Sequence, residues 1–253
     1  VNPYAWTWNG EAVVLVPLLV VAYAAAVRVY RAGRARVAAF ALAIALMLAV
    51  FATPVQTIAL HFLLTAHLLQ NVVMAEWAPA LLVLALPAKL AGALARAAVV
   101  RSVTRPAVAL PLWLGTYFAW HVPAAYDLAL RHPVTVLHLE HLSYLAAGLA
   151  LWWPVVHDLP HRLTSGAKAA YVFAAFVLGS PLGLLLALVP SAVYATYRDG
   201  PGLWGLDPLA DQQLAGLTMV GEQAVVFFAV FAAFFLRFLR DEEAQGATLR
   251  PGQ

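Results

Sequence analysis

The stretch AHLLQNVVMAEWAPALLVLALP, residues 66–87, sets the environment in which this chain folds. It holds a single charged residue, Glu76. As a helix rising about 1.5 Å per residue it matches the roughly 30 Å hydrocarbon core of a bilayer. The whole chain shares its character: of 253 residues, 64% are apolar and only 11% charged, against about 25% charged in an ordinary soluble domain. That composition belongs to an integral membrane protein. The chain has no cysteine, which excludes disulfides, CxxC redox chemistry, thiolate-held iron–sulfur clusters and any thiolate metal chaperone. Metal chemistry falls to His, Met, Asp, Glu, Asn or Gln.

Outward from residues 66–87, apolar runs bounded by charges or turn signals predict seven spans, at 11–30, 36–53, 60–86, 106–122, 134–156, 167–189 and 210–237. At about 20 residues each they leave no room for a separate soluble domain. The expected architecture is an all-α integral membrane protein, a seven-transmembrane helix bundle over residues 1–240 with a disordered cytoplasmic tail at 241–253. The first run has no basic segment before it, so it is expected to be a retained span and not a cleaved signal. The apolar stretch from Pro54 to Pro87 would be about 50 Å long as one helix. The third span is therefore expected to start late, near Leu60, with Val55–Ala59 as an outer loop and Pro79 as a further point for a bend. Thirteen of the fifteen basic residues sit on alternate loops, while Arg131 and Arg198 stand alone on the other side. This places the N-terminus outside and the C-terminus in the cytoplasm. Residues 88–104, with Lys89, Arg96 and Arg101 spaced among apolar residues, predict a helix lying on the inner leaflet. The net charge of +3 is thus explained by topology; the lipid bilayer is the expected partner and nucleic acid is not. No internal repeat suggests an inverted-repeat transporter.

Six of the eight histidines, His61, His67, His121, His132, His138 and His141, fall in the outer half of the membrane or just outside it, and His157 and His161 lie at the inner surface. His67, Gln70, Asn71 and Met74 follow i, i+3, i+4, i+7 and share one face of the third helix. His138 and His141 share a face of the fifth, and Gln212, Met219 and Gln223 share one of the seventh. His67 and His141 lie at matching depths of about 10 Å, and His121 closes the fourth helix at the same surface. Polar groups inside spans are costly and face the bundle interior, so these histidines are candidates for an imidazole site for copper, zinc, iron or nickel. Met74 and Met219 would tilt it toward reduced copper, and Glu140 is placed to fix an imidazole tautomer. The plain alternatives are interhelical hydrogen bonds for single histidines and packing for the methionines; they suit His61, His132, His157 and His161 best. Glu76 and Glu222 lie deeper and need a partner or a proton, as in a proton or ion path. No nucleophile–base motif or Gly-rich phosphate loop points to an enzyme. Lys89 and Lys168 lie near the inner surface, away from where a Schiff-base pigment would need one.

Three stretches together carry a family likeness: residues 66–87, WHVPAAYDLALRHPVTVLHLEHLSYLAAGLALWWPV at 120–155, and YATYRDGPGLWGLDPLADQQLAGLTM at 194–219, about a third of the chain. With them the chain resembles the multi-spanning CtaG-type cytochrome c oxidase assembly factors, which are distinct from the single-span copper chaperones of the same name. The resemblance implies a non-enzymatic metallochaperone of the bacterial plasma membrane that matures a haem–copper oxidase, handles copper on the outer side and has oxidase subunits as partners. The positions it carries over are His67, Gln70, His121, Tyr126, Asp127, His138, Glu140, His141, Asp211, Gln212, Gln213 and Met219. The expected metal set is His67, His138, His141, His121 and Met219; Gln70, Asn71, Met74, Tyr126, Asp127, Glu140, Asp211, Gln212 and Gln213 are expected to support it. Where the family pattern reads His-x-x-Gln-His, this chain has Asn71 in the last place, and Ala215-Gly216 stands for Gly-Gly. Two other function classes remain open at this point: a copper or proton transporter using Glu76 and Glu222, and a haem-bearing electron carrier with two axial histidines.

Overall fold

The computed structural model describes residues 1–248, and the described part is helical with no β-strand. Five helices are long and apolar enough to cross a membrane: Glu11–Tyr30, Arg34–Phe51, Leu64–Ala85, Ser165–Leu188 and Pro208–Gln245. A sixth span results if α9 (Pro123–Arg131) and α10 (Val136–Val156), which meet at a 120° bend, are taken as one broken crossing. The remaining expected span, 106–122, is α8 (Pro106–Trp120), a helix of 15 residues.

The first span opens with a π-helical turn, Glu11–Leu15, and continues as α1 (Val16–Tyr30). After α2 (Arg34–Phe51), the residues expected as an outer loop form a helix of their own, α3 (Pro54–His61). Thr53 explains it: its hydroxyl accepts from the Val55 N–H at 3.2 Å, and Pro54 fills a first-turn position that needs no donor. The chain breaks at Phe62 and Leu63, so the late start of the third span is real. This span runs without a gap through α4 (Leu64–Val72), a π turn at Val73–Trp77 and α5 (Ala78–Ala85). It is the central helix: 72% of its apolar window is buried inside the protein, against 11% for the first span and 22% for α2.

The loop expected to lie on the inner leaflet folds as two short helices, α6 (Ala88–Leu94) and α7 (Ala98–Val103). α11 (Ser165–Leu188) packs along α13 (Pro208–Thr248), with the one-turn α12 (Ala195–Arg198) between them in sequence. Gly183 and Gly216 allow this close approach: a side chain on Gly216 would run into the Gly183 carbonyl and lie 2.7 Å from Ala187 N. The expected tail falls partly on α13, which runs to Thr248; residues 249–253 lie outside those described. Leu18, Val21, Leu185 and Phe228 are each more than half exposed, as lipid-facing residues must be.

Asp211 ties α13 to the start of the central helix. Its carboxylate accepts from Leu64 N at 2.6 Å, Thr65 N at 3.1 Å and Thr65 Oγ1 at 2.7 Å, so it caps a helix start whose own N-cap, Leu63, has no oxygen to offer. Asp211→Ala is expected to destabilise the protein by about 2 kcal/mol, the loss of a cap with a buried N–H left unpaired. Thermal unfolding in detergent checks this, with Asp211→Asn, which keeps one acceptor, falling in between.

Candidate metal centre

One end of the bundle, the end expected to lie outside, gathers groups from six elements. The first span begins with Glu11, whose Oε1 accepts from Nδ1 of both His138 and His141 on α10, each at 2.7 Å. Glu11 and His141 are buried, and His138 is 28% exposed. One potential ligand atom from each of the three lies within 4.8 Å of the other two. Gly10 makes room for this: a Cβ there would sit 2.7 Å from His138 Nε2. A groove of about 400 Å³, lined by Gly10, Glu11, Val14, Val134, His138 and Leu142 among others, leads to the cluster.

Hydrogen bonding assigns the tautomers of the buried rings. The Glu11 carboxylate only accepts, so His141 donates from Nδ1. His121 lies 2.7 Å from the Tyr117 carbonyl through Nδ1 and must donate as well. Tyr197 gives its hydroxyl hydrogen to the Ala59 carbonyl at 2.5 Å, so His67, 2.9 Å from that hydroxyl, donates to it from Nδ1. In each neutral ring Nε2 then carries a bare lone pair. All three of these Nε2 atoms are buried and have no hydrogen-bond partner among the described residues. An N–H held on one side by a carboxylate or carbonyl, with a free lone pair on the other, is the usual preparation of a metal-ligating histidine. The His67 and His141 rings stand 6.2 Å apart between centroids. Tyr126, whose hydroxyl is also unpartnered, is 5.0 Å from the His67 ring and 6.0 Å from that of His121.

The surrounding residues hold these rings in place. Asn71 Nδ2 donates to Glu140 Oε1 at 3.0 Å, so the amide at this position is bonded to the carboxylate. Glu140 therefore meets Asn71, and the acceptor that fixes His138 and His141 is Glu11. Gln70 Nε2 donates to the Val50 carbonyl and to Gln56 Oε1, both at 2.7 Å, joining the central helix to α2 and α3. Asp127 caps α12, accepting from Ala195 N at 3.2 Å, Thr196 N at 3.0 Å and Thr196 Oγ1 at 2.8 Å, and so positions Tyr197 behind His67. Gln212 holds the α11–α12 connection through Val193 N at 2.7 Å and the carbonyls of Leu186 and Ser191, while Gln213 is half-buried on the same turn.

Other expected candidates lie elsewhere. Met74 and Met219 are packed in the apolar core, Met219 against Gly183, so the clustered donors are nitrogen and oxygen. His61 and His132 are exposed, and His157 and His161 donate to the carbonyls of Val83 and Arg101 at the opposite end of the bundle. Glu76 and Glu222 meet each other in the interior, apart from the histidines. Glu11 is the residue that the sequence reading passes over. Its signal was present: a carboxylate on the first turn of a long apolar run is costly unless partnered.

A family model, that of the cytochrome c oxidase caa3 assembly factor (Caa3_CtaG), matches residues 21–241. The chain belongs to this family. The match contains the central helix, α10 and the capping residues Asp127 and Asp211, and it begins after Glu11. No curated protein and no solved structure matches the chain.

Proposed function

We propose that this chain is a non-catalytic assembly factor of the bacterial plasma membrane that supplies copper, as cargo, to a haem–copper cytochrome c oxidase. In this reading it crosses the membrane seven times, with α8 as the short span, its N-terminus outside and its C-terminus in the cytoplasm. The copper is held in the outer half of the bilayer by imidazoles among His67, His121, His138 and His141, of which His138 and His141 lie with Glu11 within 4.8 Å of one another. The observation that carries the reading is the set of three buried imidazoles whose Nδ1 atoms are hydrogen-bonded while their Nε2 lone pairs have no partner. Imidazole nitrogen suits copper. The oxygen and nitrogen surroundings, with no thiolate and both candidate thioethers in the core, favour a site that releases its ion to a stronger acceptor. Glu11 and the carbonyl of Tyr117 keep the rings oriented whether or not the ion is present.

The test is made in cells. A strain lacking this chain should accumulate oxidase apoprotein deficient in copper and low in activity; the wild-type chain should restore both, and a His67→Ala, His141→Ala chain present at normal level should not. Full restoration by that variant would contradict the proposal.

A further inference from the structure

Midway along the central helix, twelve residues past Leu64 and nine before Ala85, Glu76 faces Glu222 of α13. Reciprocal hydrogen bonds set the two carboxyls side by side: Glu76 bonds to the residue next to Glu222, and Glu222 to the residue next to Glu76. Each has one oxygen accounted for by a donor: Glu76 Oε1 accepts from Gln223 Nε2 at 2.8 Å, and Glu222 Oε2 accepts from Trp77 Nε1 at 2.8 Å. The other two, Glu76 Oε2 and Glu222 Oε1, are buried and receive no N–H or O–H from any described residue, and Gln223 Oε1 is buried without a partner beside them. Glu76 is fully buried and Gln223 is 1% exposed. The same Gln223 amide also donates to the Tyr117 hydroxyl of α8 at 3.1 Å, the one other titratable group hydrogen-bonded into the cluster among the described residues. From α10 and α11 the neighbours are glycines: Gly148 lies against Ala75 and Pro79, and Gly179 near Gln223 and Trp113.

The π turn at Val73–Trp77 creates this arrangement. Its extra residue shifts the helix phase after Asn71, so that Glu76 and Trp77 both turn toward α13, away from the face that His67 and Asn71 present. Two carboxylates side by side in an apolar interior cannot both stay ionised, and no Lys or Arg among the described residues is paired with either. Three unpartnered acceptors are too few for a hard cation, which takes about six oxygens or more. They suit the one cation that needs two.

We propose that Glu76 and Glu222 form an intramembrane proton-binding site in which the facing oxygens Glu76 Oε2 and Glu222 Oε1 share one proton. Trp77 and Gln223 are positioning residues, each holding the opposite oxygen of its carboxyl so that the free oxygens face one another. The site is separate from the imidazole cluster and does not depend on metal binding there.

Infrared spectroscopy of the full-length protein in detergent at pH 8 tests this, since exposed carboxyls are then ionised. The expected result is a carboxylic-acid C=O band worth one group per chain that shifts in heavy water. The component worth one group should be lost from the folded Glu76→Gln, Glu222→Gln double variant and retained in Glu140→Gln, which removes a different buried carboxyl. Absence of any acid band in the wild-type protein overturns the proposal without recourse to a variant. So does an acid band unchanged in the double variant, or a thermal midpoint raised by sodium or potassium in the wild type and not in the double variant, which would show a metal cation at the site.

Discussion

His141→Ala is expected to leave the purified protein without bound copper, whereas His61→Ala should bind as the wild type does. His141 is the ring on which the outer cluster converges: its Nδ1 is held 2.7 Å from Glu11, its Nε2 is buried and unpartnered, and its centroid is 6.2 Å from that of His67. Removing it takes away one of the proposed ligands and leaves the Glu11 carboxylate with His138 alone. Glu11→Gln should weaken binding by about 10–100-fold, the usual loss when the group that orients a ligating histidine is changed. Copper per mole of protein, followed by titration against a competing chelator, measures both. Retention of stoichiometric copper by His141→Ala would remove this ring from the site.

Gly148→Val should be the most destabilising single change in the core, by about 3 kcal/mol or more, at the upper end for overpacking. A Cβ at this position would collide with the Ala75 carbonyl and come within 2.6 Å of Pro79 Cγ. Both lie on the central helix, so the obstacle is backbone and a rigid ring, with no flexible side-chain end to move aside. The same carbonyl accepts from Trp113 Nε1 at 3.2 Å, which couples α8 to the contact. Driving α10 away from the central helix would also stretch the Asn71–Glu140 hydrogen bond. A lowered thermal midpoint should therefore appear together with weaker copper binding. A midpoint within a degree of the wild type would show that the two helices are not packed as described.

The helices were legible because lipid imposes long apolar runs, and the basic residues and prolines mark their ends. The pairing of His138 and His141 on one face of α10 was legible because helical spacing is linear in sequence. Three features were not. The π turn at Val73–Trp77 inserts an extra residue that a 3.6-residue wheel cannot register, so the wheel sets Met74 on the histidine face and gives no sign that Glu76 turns toward α13. Residues Val55–Ala59 read as a loop because α3 is short, yet Thr53 and Pro54 are there to start it. Glu11 is legible as a carboxylate in need of a partner, but its partners are not, because they lie more than 120 residues away on a helix that only the tertiary fold brings alongside.

The central claim is that copper sits on imidazole nitrogen in the outer half of the bundle. X-ray absorption at the copper edge of the purified, copper-loaded protein tests it most directly. The account predicts nitrogen or oxygen neighbours at about 2.0 Å with the outer-shell pattern of imidazole, and loss of that pattern in His67→Ala, His141→Ala. A sulfur shell at about 2.3 Å, which would place the ion on the methionines, or an identical spectrum in the double variant, would contradict it.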